Sequence, residues 1–301
     1  PKDIIHDDVC SICFDDVSIL DIKTYFLCTQ CGKVMHLKCA ERLRGTKSLS
    51  AETRTSCPMC RAPCVAQGSK EDVERLQRWS QRNRPWAQFG LAGSYARGLG
   101  VNKDQKRACE LLKLAADQGH HNAQYNLGVR YKNGRGVIKS DALSLKYYKL
   151  AADQGAANAQ YNVGLAYYNG KGAEQSYTKA CTFFELAADQ GYREAQFNLG
   201  VMYANGRGVN QSDELALKFY KLCAEGGVAD AQSVVGSYYG NGIGVEQSFA
   251  EAREWWTKAA KQGYEIAINN LKQLDEIEGI KSTSSSNFTD NSTVLCSKCN
   301  K

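Results

Sequence analysis

No stretch of the 301-residue chain approaches the ~18 consecutive apolar residues of a membrane-spanning helix, so no membrane partner is expected. The first residues, Pro1 to Asp8, have no basic segment leading into an apolar one, so no secretory signal is expected there. Charge of one sign gathered in one place is also missing. The net charge of +6 divides as +1 over residues 1–64, +2 over 65–86 and +3 over the remainder, which argues against nucleic acid as a partner. The composition is not that of a disordered chain either: 43% hydrophobic and 23% charged residues are ordinary for a folded protein. The length leaves room for two or three folding units.

Cysteine is plentiful but unevenly placed. Eight of the thirteen precede residue 65, and seven of those, with one histidine, fall into close pairs. The pairs are Cys10 with Cys13, Cys28 with Cys31, His36 with Cys39, and Cys57 with Cys60, each separated by two residues. Such clusters point to zinc in a reducing compartment, cytoplasmic or nuclear, rather than to disulfides. Zinc takes four tetrahedral ligands, and two intervening residues let both side chains of a tight turn reach one ion, so eight ligands imply two zinc ions. A segment of ~60 residues can hardly build a core unaided, so the metals must fold it, contributing roughly 10–16 kcal/mol each.

Beyond residue 86 the chain repeats itself. Ala87, Ala123, Ala159, Ala195, Ala231 and Ala267 stand 36 residues apart, and AQYNLGVRYKNGRGV after the second is nearly repeated as AQFNLGVMYANGRGV after the fourth. Each repeat reads as helix, glycine loop, helix, glycine stop. Ala123, Leu127 and Tyr131 fall on one stripe of the first helix. Gly128, Gly164, Gly200 and Gly236 sit on that same helix, where each costs about 1 kcal/mol against alanine, and close approach of the second helix is the natural compensation. Asp104, Ser140, Ser176, Ser212 and Ser248 are the expected N-caps of the second helices, Ser248 forming a capping box with Glu251. Gly119, Gly155, Gly191, Gly227 and Gly263 are the expected stops. One helix pair cannot bury its own apolar face but a stack can, which gives a curved solenoid. A helix over Ser69–Arg82, with Val73, Leu76 and Trp79 on one face, is expected to cap the front, and one from Ala267 to Ile277 the back. Cys109, Cys181 and Cys223 lie on second helices and read as small packing residues.

These residues resemble the Sel-one-like (SLR) repeat, a relative of the tetratricopeptide repeat, over residues 87–266. The resemblance implies a scaffold for protein partners with no chemistry of its own. The first copy departs from the pattern by carrying Ala92 in place of the helix glycine, and Ala173 replaces one valine. Asn126, Asn162 and Asn198 recur at one place on three successive first helices, away from the buried stripe. Carboxamides both donate and accept, so such a row suits an extended peptide backbone. Some tetratricopeptide solenoids use an asparagine ladder at the equivalent place.

The phrases CSICFDD and CPMCRAP resemble the RING finger of ubiquitin ligases. That resemblance implies interleaved sites, with Cys10, Cys13, His36 and Cys39 on one zinc and Cys28, Cys31, Cys57 and Cys60 on the other. Lys33 stands where RING fingers carry a first histidine, and Cys28 supplies the missing ligand, so the order is four cysteines, one histidine, three cysteines. The PHD finger shares this order but normally carries tryptophan where Thr55 stands, and Leu43 and Arg61 fit the RING pattern better. RING identity implies recruitment of a ubiquitin-conjugating enzyme on Ile12, Leu43 and Pro58. Arg61 would then be the donor that holds thioester-linked ubiquitin for attack, an effect of orientation without a nucleophile. A planar guanidinium with fixed donors suits bridging two surfaces.

The expected whole is a small zinc-bound α+β finger over 1–64, a linker and capping helix over 65–86, and an all-α solenoid of five helix-pair repeats over 87–266. A terminal helix over 267–278 and a disordered tail over 279–301 follow. A RING-type ligase is the expected function, with a pure adaptor or a PHD-like peptide reader as alternatives. The sequons at Asn287 and Asn291 should not meet the glycosylation machinery in a zinc-thiolate protein. Cys296 and Cys299 read as loose thiols, and His6, His120 and His121 as exposed.

Overall fold

The computed structural model describes residues 25–27, 34–36 and 68–283, with side chains described over 68–279. Two short strands, β1 (Tyr25–Leu27) and β2 (Val34–His36), pair antiparallel with Tyr25 opposite His36. Every other described element is a helix. The chain divides into two compact units, residues 1–156 and 157–301.

In the first unit α1 (Lys70–Gln81) packs on α2 (Pro85–Arg97). Helices α2 and α3 (Gln105–Asp117) form the first repeat, α4 (His121–Asn133) and α5 (Asp141–Ala152) the second. In the second unit α6 (Ala157–Asn169) pairs with α7 (Tyr177–Asp189), α8 (Arg193–Asn205) with α9 (Asp213–Glu225), and α10 (Ala229–Asn241) with α11 (Phe249–Ala260). Helix α12 (Glu265–Thr283) closes on α11.

Each second helix begins where its cap residue dictates. The side chains of Asp104, Ser140, Ser176, Ser212 and Ser248 accept from the backbone N–H three residues on, at 2.9–3.5 Å, satisfying a donor that the helix leaves orphaned. The helix glycines earn their cost as the sequence implies. A β-carbon on Gly128, Gly164, Gly200 or Gly236 would stand 2.5–2.7 Å from the ring of Tyr148, Phe184, Tyr220 or Trp256, twenty residues on in the same repeat. The first repeat solves the same contact differently: Ala92 and Leu112 occupy these two places, and both are buried. Small faces large in every repeat, so volume is conserved while the pair changes.

A second internal tie is a rung of glutamines. Gln118, Gln154 and Gln190 donate to the side-chain oxygens of Gln88, Gln124 and Gln160 at 2.7 Å, and Gln262 to Gln232 at 2.8 Å. Gln124 and Gln232 each donate onward at 3.1 Å to a carbonyl at the end of the preceding second helix, Ala116 or Ala224. A buried amide with both ends satisfied joins the two helices of a repeat and the repeat before it. The fourth repeat lacks its rung. Gly226 replaces the donor of Gln196, and the Arg193 side chain fills the space, its Cδ and Nε 2.8 Å from where a Gly226 β-carbon would lie.

The described helices begin and end on half-repeats. The loop glycine Gly136 lies against the Gln105 carbonyl, and Gly100 lies likewise against Ser69, where a β-carbon would meet the carbonyl oxygen at 2.6 Å. Helix α1 therefore stands as a second helix with no first helix before it among the described residues. Helix α12 is the counterpart, a first helix whose Ala267 and Leu274 are buried. The exposed Lys272 stands where α4, α6, α8 and α10 carry glycine. Arg253 ties α11 to α12 through Asp275 and Glu278, each at 2.6 Å.

Two expectations need correction. Helix α12 starts at Glu265 and reaches Thr283, into residues expected to form a disordered tail, because a polar composition alone does not end a helix. His121 is half-buried, and His120 is not an exposed side chain either. Its ring stacks on Phe89 with centroids 4.8 Å apart, and its Nδ1 accepts from the Ala123 N–H at 3.2 Å as the N-cap of α4.

Candidate functional site: the outer face of the first helices

The first helices bury Ala, Gln, Leu and Gly in a stripe, which leaves the opposite face to solvent or to a partner. In the first unit α4 carries Asn126 on that face, and in the second α6 and α8 carry Asn162 and Asn198, each half-buried. One residue before each stands Tyr125, Tyr161 or Phe197, and three residues after it Val129, Leu165 or Val201, also half-buried. Helical spacing puts the three on one side of the helix.

The aromatic beside each asparagine is rooted in the repeat's interior. Tyr125 packs on Tyr148 at 5.6 Å between centroids, Tyr161 on Phe184 at 5.7 Å, and Phe197 on Tyr220 at 5.3 Å. These partners are the rings that cover the helix glycines, so glycine, inner ring and outer ring form one stack reaching the face. Within the second unit Tyr161 also touches Tyr192 at 4.9 Å and shares a side-chain hydrogen bond with Asn198. Burial holds the Tyr161 phenol above its ordinary range, while the Asn198 bond opposes the shift. The carboxamide of Asn162 donates to the Asn158 carbonyl at 2.7 Å, one turn back. Asn198 is braced by its neighbouring helix through the bond with Tyr161.

In the second unit Asn162 and Asn198 stand beside apolar neighbours, and Glu194 and Asp230 add acidic groups on α8 and α10. The aromatic column is readable in the sequence by the same 36-residue register that reveals the asparagines, but the glutamine rung is not, because its two halves lie 30 residues apart on different helices.

The three second-helix cysteines are buried. Burial foremost, aided by Glu185, pushes the Cys181 thiol up to about 12, and burial foremost, aided by Glu194, pushes Cys223 up to about 11. Such thiols are unreactive packing groups. Among the described residues no three His, Cys, Asp or Glu side chains gather to hold a metal, and no helix is long and apolar enough to cross a membrane. The zinc ligands Cys10, Cys13, Cys28, Cys31, Cys39, Cys57 and Cys60 lie outside the described residues, as do Ile12, Leu43, Pro58 and Arg61, while His36 is described only as the backbone end of β2.

Stacked helix pairs that tie repeat to repeat and present one face of their first helices define an α-solenoid of the protein-binding class. The chain belongs to the Sel1 repeat family, whose repeat matches five times, over residues 87–120, 121–155, 157–192, 193–228 and 229–264. It is similar to c5321 of uropathogenic Escherichia coli, a protective antigen displaying an SLR fold. That likeness is 29% identity over 80% of this chain and 52% of that one, with a TM-score of 0.69, so this chain spans about half the length of c5321. It is also similar to a Sel1 repeat protein from Oxalobacter formigenes, with 30% identity over 64% of this chain and 79% of that one and a TM-score of 0.61. No curated protein matches the chain.

Proposed function

We propose that the protein is a ubiquitin ligase of RING type, whose solenoid captures a protein partner on the first-helix face and whose zinc finger recruits a charged ubiquitin-conjugating enzyme. The observation that carries the capture half, taken in each unit by itself, is that Asn126 in the first and Asn162 and Asn198 in the second stand beside outer rings rooted in the repeat interior. The delivery half rests on the ligand spacing of residues 10–60, two zinc ions held by four cysteine or histidine pairs, and on the position of Arg61 directly after the last ligand. Joining capture and delivery in one chain raises the effective concentration of partner at the conjugating enzyme, so modest affinity at the face suffices.

The capture half is tested by replacing Asn126, Asn162 and Asn198 together with alanine and comparing binding to an array of extended peptides. Peptides held by the wild type should be lost, while the melting temperature stays nearly unchanged, since the carboxamides lie outside the buried stripe. A triple variant that holds the same peptides equally well places the partner elsewhere. One that melts several degrees early shows the column to be structural.

A further inference from the structure

We propose that the loops carry four sites of spontaneous deamidation that the folded repeat holds shut and that local opening of the repeat releases. The sites are Asn133-Gly134, Asn169-Gly170, Asn205-Gly206 and Asn241-Gly242, the four Asn-Gly steps of the chain, all at one place in the 36-residue register. The first repeat has Arg97-Gly98 there and is an internal control.

The chemistry needs nothing but water. The glycine backbone nitrogen, unhindered because its residue has no side chain, attacks Cγ of the preceding asparagine. A new C–N bond closes a five-membered imide, the bond to the side-chain nitrogen breaks, and ammonia leaves with the proton from the backbone nitrogen. Water then adds to one of the two imide carbonyls, opening the ring to aspartate or isoaspartate. Water enters, ammonia departs, and no electron changes hands.

The fold withholds both reacting groups. Each asparagine is the last residue of its first helix. Each glycine follows in the left-handed region, φ 62–67°, as the stop of that helix. The attacking nitrogens are engaged as donors: Gly134 N–H to the Arg130 carbonyl, Gly206 N–H to Met202, and Gly242 N–H to Tyr238 and Tyr239. The carboxamides are engaged too, with those of Asn169, Asn205 and Asn241 donating to the carbonyls of Leu165, Val201 and Ser237 at 2.8–2.9 Å, back along the helix. Two residues on, a second loop glycine is wedged against the preceding repeat, Gly208 on Tyr177 and Gly244 on Asp213, so a loop cannot unwind without parting two repeats. Asn133, Asn169 and Asn205 are nonetheless exposed, so water reaches the site as soon as the loop opens.

The product resists reclosure. A carboxylate replaces a neutral amide at a helix C-terminus, where the helix dipole disfavours negative charge, and it cannot donate to the carbonyl that the amide had held. Each of the four repeats thus keeps a chemical record of its own openings, and the record weakens the repeat that made it.

The test follows the full chain over time in warm, mildly alkaline buffer, with and without guanidinium chloride, mapping amide-to-acid mass changes by peptide. In denaturant all four asparagines should convert. In native buffer conversion at each should be at least about tenfold slower, because it must wait for an opening that is rarely populated. Gly200→Ala, which disturbs the fourth repeat, should speed Asn205 by roughly tenfold and leave Asn133 at the wild-type rate. Equal rates in native and denatured wild type overturn the proposal without recourse to any variant. So does a folded Gly200→Ala protein in which Asn205 and Asn133 accelerate alike.

Discussion

Trp256 lies across Gly236 so closely that a β-carbon on the glycine would stand 2.5 Å from Cδ1 of the indole. The indole is fully buried, and its Nε1 donates to the Ser233 carbonyl at 3.1 Å, so the ring is fixed from two sides and has nowhere to retreat. Gly236→Ala should therefore lose about 1–3 kcal/mol despite the helix propensity it gains. Adding Trp256→Leu should recover part of the loss, since alanine and leucine fill these two places in the first repeat. Thermal melts of the single and double variants check this, and additive losses would refute the pairing.

The missing rung of the fourth repeat offers the opposite change. Gly226 has φ −68°, a conformation open to any residue, and the group in the way is the flexible Arg193 side chain. Gly226→Gln should bring a donor to the buried Gln196 and raise stability by about 0.5–1.5 kcal/mol. A melting temperature at or below the wild type would show that Arg193 already serves the place better.

Acid should act through His120. Its ring is held neutral, with burial first and the neighbouring His121 second lowering its pKa to about 4. A depressed folded value means that the unfolded chain binds the proton more readily. Stability is full above the ordinary value near 6.5, falls as pH drops toward 4, and levels off below, losing roughly 3 kcal/mol in all. His120→Asn keeps an N-cap acceptor without the titration, so its melting temperature should fall less between pH 7 and pH 4 than that of the wild type. Parallel curves would clear His120 of the effect.

The finger should contain two zinc ions per chain. Chelation should abolish the structure of residues 1–64 while leaving the helical circular dichroism of the repeats, which contain no metal cluster among their described residues. Elemental analysis checks the count, and one ion or none in folded protein would remove the basis of the zinc reading.

Ligase activity should depend on two residues in different ways. Ile12→Ala should weaken binding of the conjugating enzyme, whereas Arg61→Ala should leave binding nearly intact and slow ubiquitin discharge to lysine. If the wild type leaves discharge unchanged with every conjugating enzyme that it binds, the protein is an adaptor.

What the sequence made legible was whatever recurs in register. Caps at Ser140, Ser176 and Ser212, stops at Gly155 and Gly191, and the need for close approach at Gly128 all follow from local rules read at a fixed period. The identity of the approaching ring did not follow, because Tyr148, Phe184, Tyr220 and Trp256 share bulk rather than a letter. The rung between Gln124 and Gln154 was hidden for a related reason: a lone glutamine before a helix-stopping glycine reads as solvent-facing until the fold brings the two amides together. His120 misled because its burial depends on Phe89, a residue of the preceding first helix. Of the proposed sites, the asparagine column was legible from its spacing, and the bracing of Asn198 by Tyr161 was not.

Lys272 bears on how molecules of this kind behave in company. A stack of near-identical units is sticky at its last surface, since whatever docks on one copy fits the next, and head-to-tail addition would run on into filaments. At the place where another ring would have to settle, α12 offers a charged, flexible chain in the open. The cost to a neighbour of burying that ammonium makes the surface a poor template for polymerisation.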